Sequence, residues 1–184
     1  MSKLLNSFEY LAANPSSLPE DRVAILALLK PKARNAVTNL DWESAAQQLS
    51  AWLLQLIEAE PPPRSMRGLN FGLFETEEGF TLYVTGANRY DRSDPDWACA
   101  NDWWPEGRYA NIALFVKLSS VLRGSGEQAW EVAQAIAIAL VKEFFRNHGP
   151  EFQKASGLKE VYVATGFDDG DLYEVRTTLA PTNV

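Results

Sequence analysis

The sequence predicts an α+β fold: a mainly antiparallel sheet of about five strands, a long central helix and an N-terminal helical segment. Three observations carry this reading. The apolar period is helical as far as Ile57 and becomes alternating after Pro61-Pro62-Pro63; the stretch Val132 to Val141 is apolar except for Gln134; and Glu77-Glu78-Gly79 and Asp168-Asp169-Gly170 each separate two alternating runs. With 184 residues, 46% of them hydrophobic, the chain is long enough for one domain with its own core and too apolar to be disordered. It reads as a single domain over 1–184, divided into a helical segment (1–60), a Pro-rich linker (61–67) and a sheet with its long helix (68–184).

Taken in order, Leu4, Leu5, Phe8 and Leu11 recur at helical spacing and make the first helix. Ser17 and Glu20 form a capping box ahead of Val23, Leu26 and Ala27, and Pro31 bounds this second helix. Asp41 caps a third, whose apolar stripe runs from Trp42 through Ala45, Leu49, Trp52 and Leu53 to Ile57 and ends before the prolines. Leu69, Phe71 and Leu73, then Phe80, Leu82 and Val84, alternate with smaller or polar residues and form a hairpin. The run Ile112 to Val116 reads as a buried third strand in preference to the start of a helix. The long helix is expected from about Gly126 to Asn147, started by a Ser125/Gln128 capping box and stopped by Gly149-Pro150. Its apolar run is shorter than the roughly 20 residues of a membrane span, so it belongs in the core. Val161, Val163 and Thr165, then Leu172, Tyr173 and Val175, form a second hairpin, and the tail after Thr178 is expected to fray.

Cys99 is the one cysteine, which excludes an intrachain disulfide framework and any multi-cysteine metal or cluster site. Met1-Ser2-Lys3-Leu4 leads into no signal-peptide pattern, and the expected location is the cytoplasm. Charge is unevenly spread. Residues 75–106 hold Arg89 and Arg92 against Glu75, Glu77, Glu78, Asp91, Asp94, Asp96, Asp102 and Glu106, so this stretch accounts for −6 of the formal −7. Such a field opposes contact with phosphates and favours a basic partner, which argues against nucleic acid.

The same stretch holds Trp97, Trp103 and Trp104, three of the six tryptophans. A long aperiodic connection rich in aromatics reads as an ordered loop with a role. Aromatic rings give rigid contact area, and neighbouring carboxylates receive Lys or Arg through charge-assisted hydrogen bonds. The candidate partner-binding residues are therefore Tyr90, Asp91, Asp94, Asp96, Trp97, Asp102, Trp103 and Trp104, with Trp103 and Trp104 as anchors. The bland alternative has equal weight: Trp97 and Trp103 fill a satellite core, and Arg89, Arg92 and Arg108 brace the aspartates.

The residues Tyr83-Val84-Thr85-Gly86, Tyr90-Asp91, Asp94-Pro95-Asp96-Trp97-Ala98-Cys99 and Asp102-Trp103-Trp104-Pro105 resemble bacterial immunity-protein families found beside polymorphic toxins. The resemblance spans Tyr83 to Tyr109 and leaves the helical first third unmatched. It implies a protein that neutralises a toxin by binding it, a basic toxin domain as partner, and no catalytic residue.

Catalytic readings find less support. As a nucleophile Cys99 needs a base, and the sole histidine, His148, is distant in sequence and expected to cap a helix end; Cys99 reads as a buried small hydrophobe. Asp91, Asp94, Asp96 and Asp102 lack the glycine turn of calcium loops, so no metal and no cofactor is expected. The enzyme alternative is a carbohydrate-active or other hydrolase that uses paired carboxylates, with tryptophans stacking on sugars.

Overall fold

The computed structural model describes residues 2–168 and 170–181. Among them the helices are α1 (Phe8–Ala13, entered through a 3₁₀ turn at Leu5–Ser7), α2 (Leu18–Leu28), α3 (Pro31–Thr38), α4 (Trp42–Ala59), α5 (Ala113–Val121) and α6 (Ala129–Ser156). The strands are β1 (Gly68–Glu75), β2 (Phe80–Ala87), β3 (Tyr109–Ala110), β4 (Tyr162–Phe167) and β5 (Leu172–Glu174). They form one sheet in the order β3-β2-β1-β4-β5, antiparallel except for the parallel pair β1–β4. The fold is α+β, as the period change after the prolines predicts.

Helix α6 lies between two layers, which explains why its stretch from Glu131 to Lys142 has no polar face. One side packs on β1, β2 and β4 through Leu69, Phe71, Leu73, Leu82, Val84 and Val163; the other receives α1, α2 and α4. Every residue from Glu131 to Lys142 is buried. The three polar residues in that run are each held: Glu131 accepts from Ser2 Oγ, Gln134 Nε2 lies 3.4 Å from Thr165 Oγ1, and Lys142 reaches the helical layer. Lys142 Nζ donates to Leu11 O, Asn14 O, Ser16 Oγ and Asp21 Oδ1, so one ammonium closes the C-terminal end of α1 and pairs with α2. No helix among the described residues is long and apolar enough to cross a membrane.

The caps at Ser17/Glu20 and Asp41 form as expected, with Ser17 N donating to Glu20 Oε2 at 2.7 Å and Ser44 N to Asp41 Oδ1 at 2.9 Å. Pro31 does more than bound α2. At the first position of α3 its missing N–H costs nothing, and Arg34 of that helix turns back to cap the Leu26, Ala27 and Leu29 carbonyls.

Several expectations are corrected. Ile112 to Val116 is not a third strand but the start of α5, because β2 is already paired along its edge by Tyr109, Ala110 and Trp103; Gln48 Oε1 accepts the Ala113 N–H that opens the helix. Gly149-Pro150 does not stop α6, which continues to Ser156 and ends at Gly157 in the left-handed conformation (φ +71°). Burial of Phe152, Ser156 and Leu158 outweighs the roughly 3 kcal/mol that an interior proline costs. Gly149 serves a crossing instead: a Cβ there would meet Thr178 Oγ1 at 2.5 Å. His148 is accordingly inside the helix, 3.2 Å from Glu151 and stacked on Phe144, and caps nothing. The Ser125/Gln128 capping box is absent, and Ser125 Oγ accepts from Glu127 N. The tail does not fray at Thr178, since Val161 N donates to Leu179 O and Leu179 is buried. Of the expected turn Asp168-Asp169-Gly170, Asp169 lies outside the described residues; Gly170 N donates to Phe167 O.

Candidate partner-binding face

With α6 on one face of the sheet, the other face belongs to Asn70, Gly72, Tyr83, Thr85, Ala164 and Gly166, and to whatever the loop after β2 lays over it. Glycines on this face let aromatic rings lie flat on the strands. A Cβ on Gly68 would meet the Trp97 ring at 2.3 Å, and one on Gly72 would meet the Tyr83 ring at 2.1 Å.

The end of this face at Gly68, Ala87, Tyr162 and Ala164 is covered by 88–103. Trp97, on the 3₁₀ turn Pro95–Ala100, is 3% exposed in a satellite cluster with Ala87, Ala98 and Ala164, apart from the main core. Tyr90 stacks on Tyr162 with centroids 3.7 Å apart, and its hydroxyl donates to Glu174, which also lies 3.3 Å from Arg92 Nε. Burial and the Glu174 carboxylate push the Tyr90 pKa up. The aspartates shape the loop. Asp91 Oδ1 accepts from Ser93 N and Oγ, which lowers the Asp91 pKa; Asp94 Oδ1 accepts from Asp96 N; Asp102 Oδ2 accepts from Asn88 N. Asp96 is exposed, and so are Asp91 and Asp102 beyond those local bonds. Cys99 is exposed, which corrects its expected place in a core; in the short 3₁₀ turn it falls on the solvent side beyond Trp97 and Ala98.

Trp103 and Trp104 part company. Trp103 pairs by backbone with Gly86, so strand alternation sends its ring toward the helices, where it is 7% exposed and Nε1 donates to Glu60 O. This ring is structural, and its expected role as an anchor is not compatible with that position. Trp104 is 49% exposed. Arg108 lies between it and Tyr109, with Cζ 4.2 Å from the Trp104 ring and 4.4 Å from the Tyr109 ring, in a continuous π–cation–π stack. Tyr109, 47% exposed, continues the array to Phe74 (5.8 Å) and Tyr83 (6.3 Å), whose hydroxyl donates to Asp168.

The stack is held from behind. Glu60, at the end of α4, accepts from Glu106 N and Gly107 N, Trp52 Nε1 donates to Gly107 O at 2.9 Å, and Arg108 Nη1 donates to Pro105 O. Carboxylates lie beside it: Glu77 and Glu78, from the β1–β2 turn, line a depression of about 520 Å³ with Tyr109. Trp104 and Tyr109 are thus the exposed aromatic residues here, with Arg108 between them and Glu77 and Glu78 beside Tyr109. Arg108 and Tyr109 were legible only as neighbours of the loop, although the alternation that points Tyr83 away from the core already predicts an outer aromatic position to which Tyr109 could pair.

Among the described residues no group of three His, Cys, Asp or Glu side chains is placed to hold a metal ion. Comparison of the chain with family models, curated proteins and solved structures finds no match.

Proposed function

We propose that the protein is a non-enzymatic binding protein of the immunity type, which neutralises a basic toxin domain in the cytoplasm by docking it on this face. The observation that carries the reading is the exposed Trp104–Arg108–Tyr109 stack, fixed to the end of α4. Rigid aromatic area loses little entropy on binding, and binding energy concentrates in such anchors. The neighbouring carboxylates and the −6 charge of residues 75–106 steer a basic partner. The resemblance over Tyr83 to Tyr109 falls on the segment that builds the face.

The test begins with the coding sequence next to this one. If it encodes a secreted protein with a toxin-like C-terminal domain, that domain is titrated against the chain by calorimetry. Trp104→Ala should weaken binding by about 2 kcal/mol, roughly thirtyfold, while Asp96→Asn should mainly slow association and reduce its salt dependence. Unchanged affinity of a folded Trp104→Ala variant refutes the anchor, and turnover of a glycan by the purified chain refutes the binding-only reading.

A further inference from the structure

The two edges of the sheet are closed to different degrees. At the β3 edge, α4 holds the adjoining backbone through Trp52 and Glu60. At the β5 edge closure is partial. Val175 N donates to Val163 O, and Tyr173 stands opposite Thr165, so the backbone groups of Tyr173 and Val175 point at β4. In this register those of Leu172 and Glu174 alternate outward, away from β4. Only at Arg176, whose N–H donates to Ala12 O, does α1 take over the edge.

A groove follows these outward groups. One cleft of about 410 Å³ runs along Leu172, Tyr173 and Glu174 with Glu9 and Ala13 of α1 as its far wall. A second, of about 660 Å³, continues past Arg92 and Arg176 to Thr178. Glu9 and Glu174 line the first cleft, Arg92 at the second is paired with Glu174, and Arg146 in the adjoining hollow is paired with Glu143; Arg176 is the cation of this end that has no ion-pair partner among the described residues.

We infer that the β5 edge is a second docking site, distinct from the Trp104 face, which takes an extended acidic segment of a partner polypeptide as an added strand. Leu172 and Glu174 supply up to four backbone hydrogen bonds, which recognise an extended chain of any sequence. Arg176 supplies the selectivity, by pairing with a carboxylate carried on that segment where it passes the second cleft. The aromatic wall of Tyr90 and Tyr173 accepts its alternate side chains.

The experiment uses the full chain and random nine-residue segments displayed on phage. Selected segments should share an Asp or Glu at one fixed position within an alternating β-branched pattern. Arg176→Glu should cut their capture at least tenfold without changing the melting temperature. A synthetic peptide of the selected sequence should slow amide exchange at Leu172 and Glu174, and N-methylation of its alternate amides should abolish binding. Selection of basic segments, no enrichment, or capture that ignores Arg176→Glu overturns the proposal. So does slow exchange at Leu172 and Glu174 in the free protein together with a dimeric mass, since a second copy then occupies the edge. Loss of peptide capture with toxin neutralisation intact separates this site from the Trp104 face.

Discussion

Replacing Lys142 by Met tests what holds the helical layer on α6. Lys142 Nζ lies 2.9 Å from both Asp21 carboxylate oxygens and donates to Leu11 O at 2.6 Å, Asn14 O at 2.8 Å and Ser16 Oγ at 2.9 Å. The two charged side chains are 3% and 2% exposed. Met fills nearly the same volume, so the loss is polar rather than steric. It strands a buried carboxylate and two carbonyls at the end of α1, and removing one partner of a buried pair costs roughly 3–5 kcal/mol. Against a typical domain stability of about 5–15 kcal/mol this is a large fraction, and at roughly 2–4 °C per kcal/mol the Tm should fall by about 6–20 °C.

The pH dependence has a definite sign. Burial already pushes the Asp21 pKa up, opposed by Lys142 and Ser16. A raised folded pKa gives stability that is present below the unfolded value and lost as pH rises through the folded one. Without Lys142 the folded pKa rises further, so the deficit of the variant against the parent should grow from about pH 4 toward neutrality. Urea unfolding followed by circular dichroism at pH 5 and pH 7 measures both effects. Adding Asp21→Leu should recover at least half of the deficit. A Lys142→Met loss under about 1 kcal/mol, or a double variant as unstable as the sum of the singles, refutes the reasoning.

Other expectations follow from the same geometry. Thr85 is buried with Oγ1 unpartnered, so Thr85→Val should raise stability by up to about 1 kcal/mol in urea unfolding, and a loss would mean that the hydroxyl has a partner. Trp103→Ala should cost about 3–5 kcal/mol, whereas Trp104→Ala, losing mainly its stack with Arg108, should cost under about 1 kcal/mol; equal losses would contradict the assigned burial. Burial, aided by carboxylates, raises the pKa of Tyr83, Tyr90 and Tyr173, so absorbance at 295 nm should show a fraction of the tyrosine signal appearing only above the ordinary range while the fold persists. That stability is complete below pH 10 and is lost as pH rises, and ionisation of every tyrosine in one step near pH 10 would refute it.

What could be read from the sequence was whatever depended on periodicity and caps. The alternation of Leu69, Phe71 and Leu73 located β1, and Asp41 located the start of α4, because each signal acts within a few residues of its effect. Failures arose where distant chain decided. Ile112 to Val116 is apolar enough for a strand, and only the prior occupation of the β2 edge makes it a helix. Gly149-Pro150 has the composition of a helix stop, but Gly149 is there for the crossing of Thr178, far along the chain. The site divides in the same way. The charge of 75–106 and its aromatic content were visible, while the fate of adjacent Trp103 and Trp104 turned on one backbone bridge to Gly86 that sends successive rings to opposite faces.

The position of α6 between two layers also bears on how the protein is made. Helices α1, α2 and α4 complete their apolar contacts only on α6, and β4, the parallel neighbour of β1, follows α6. During translation the segment up to Ala59 therefore waits for roughly a hundred further residues before its docking surface is complete, about 5–20 s at ordinary elongation rates. Through that interval Leu49, Leu53 and Ile57 have no native cover, which makes the nascent chain a substrate for chaperones and exposes it to aggregation at a stage when the finished fold offers no protection.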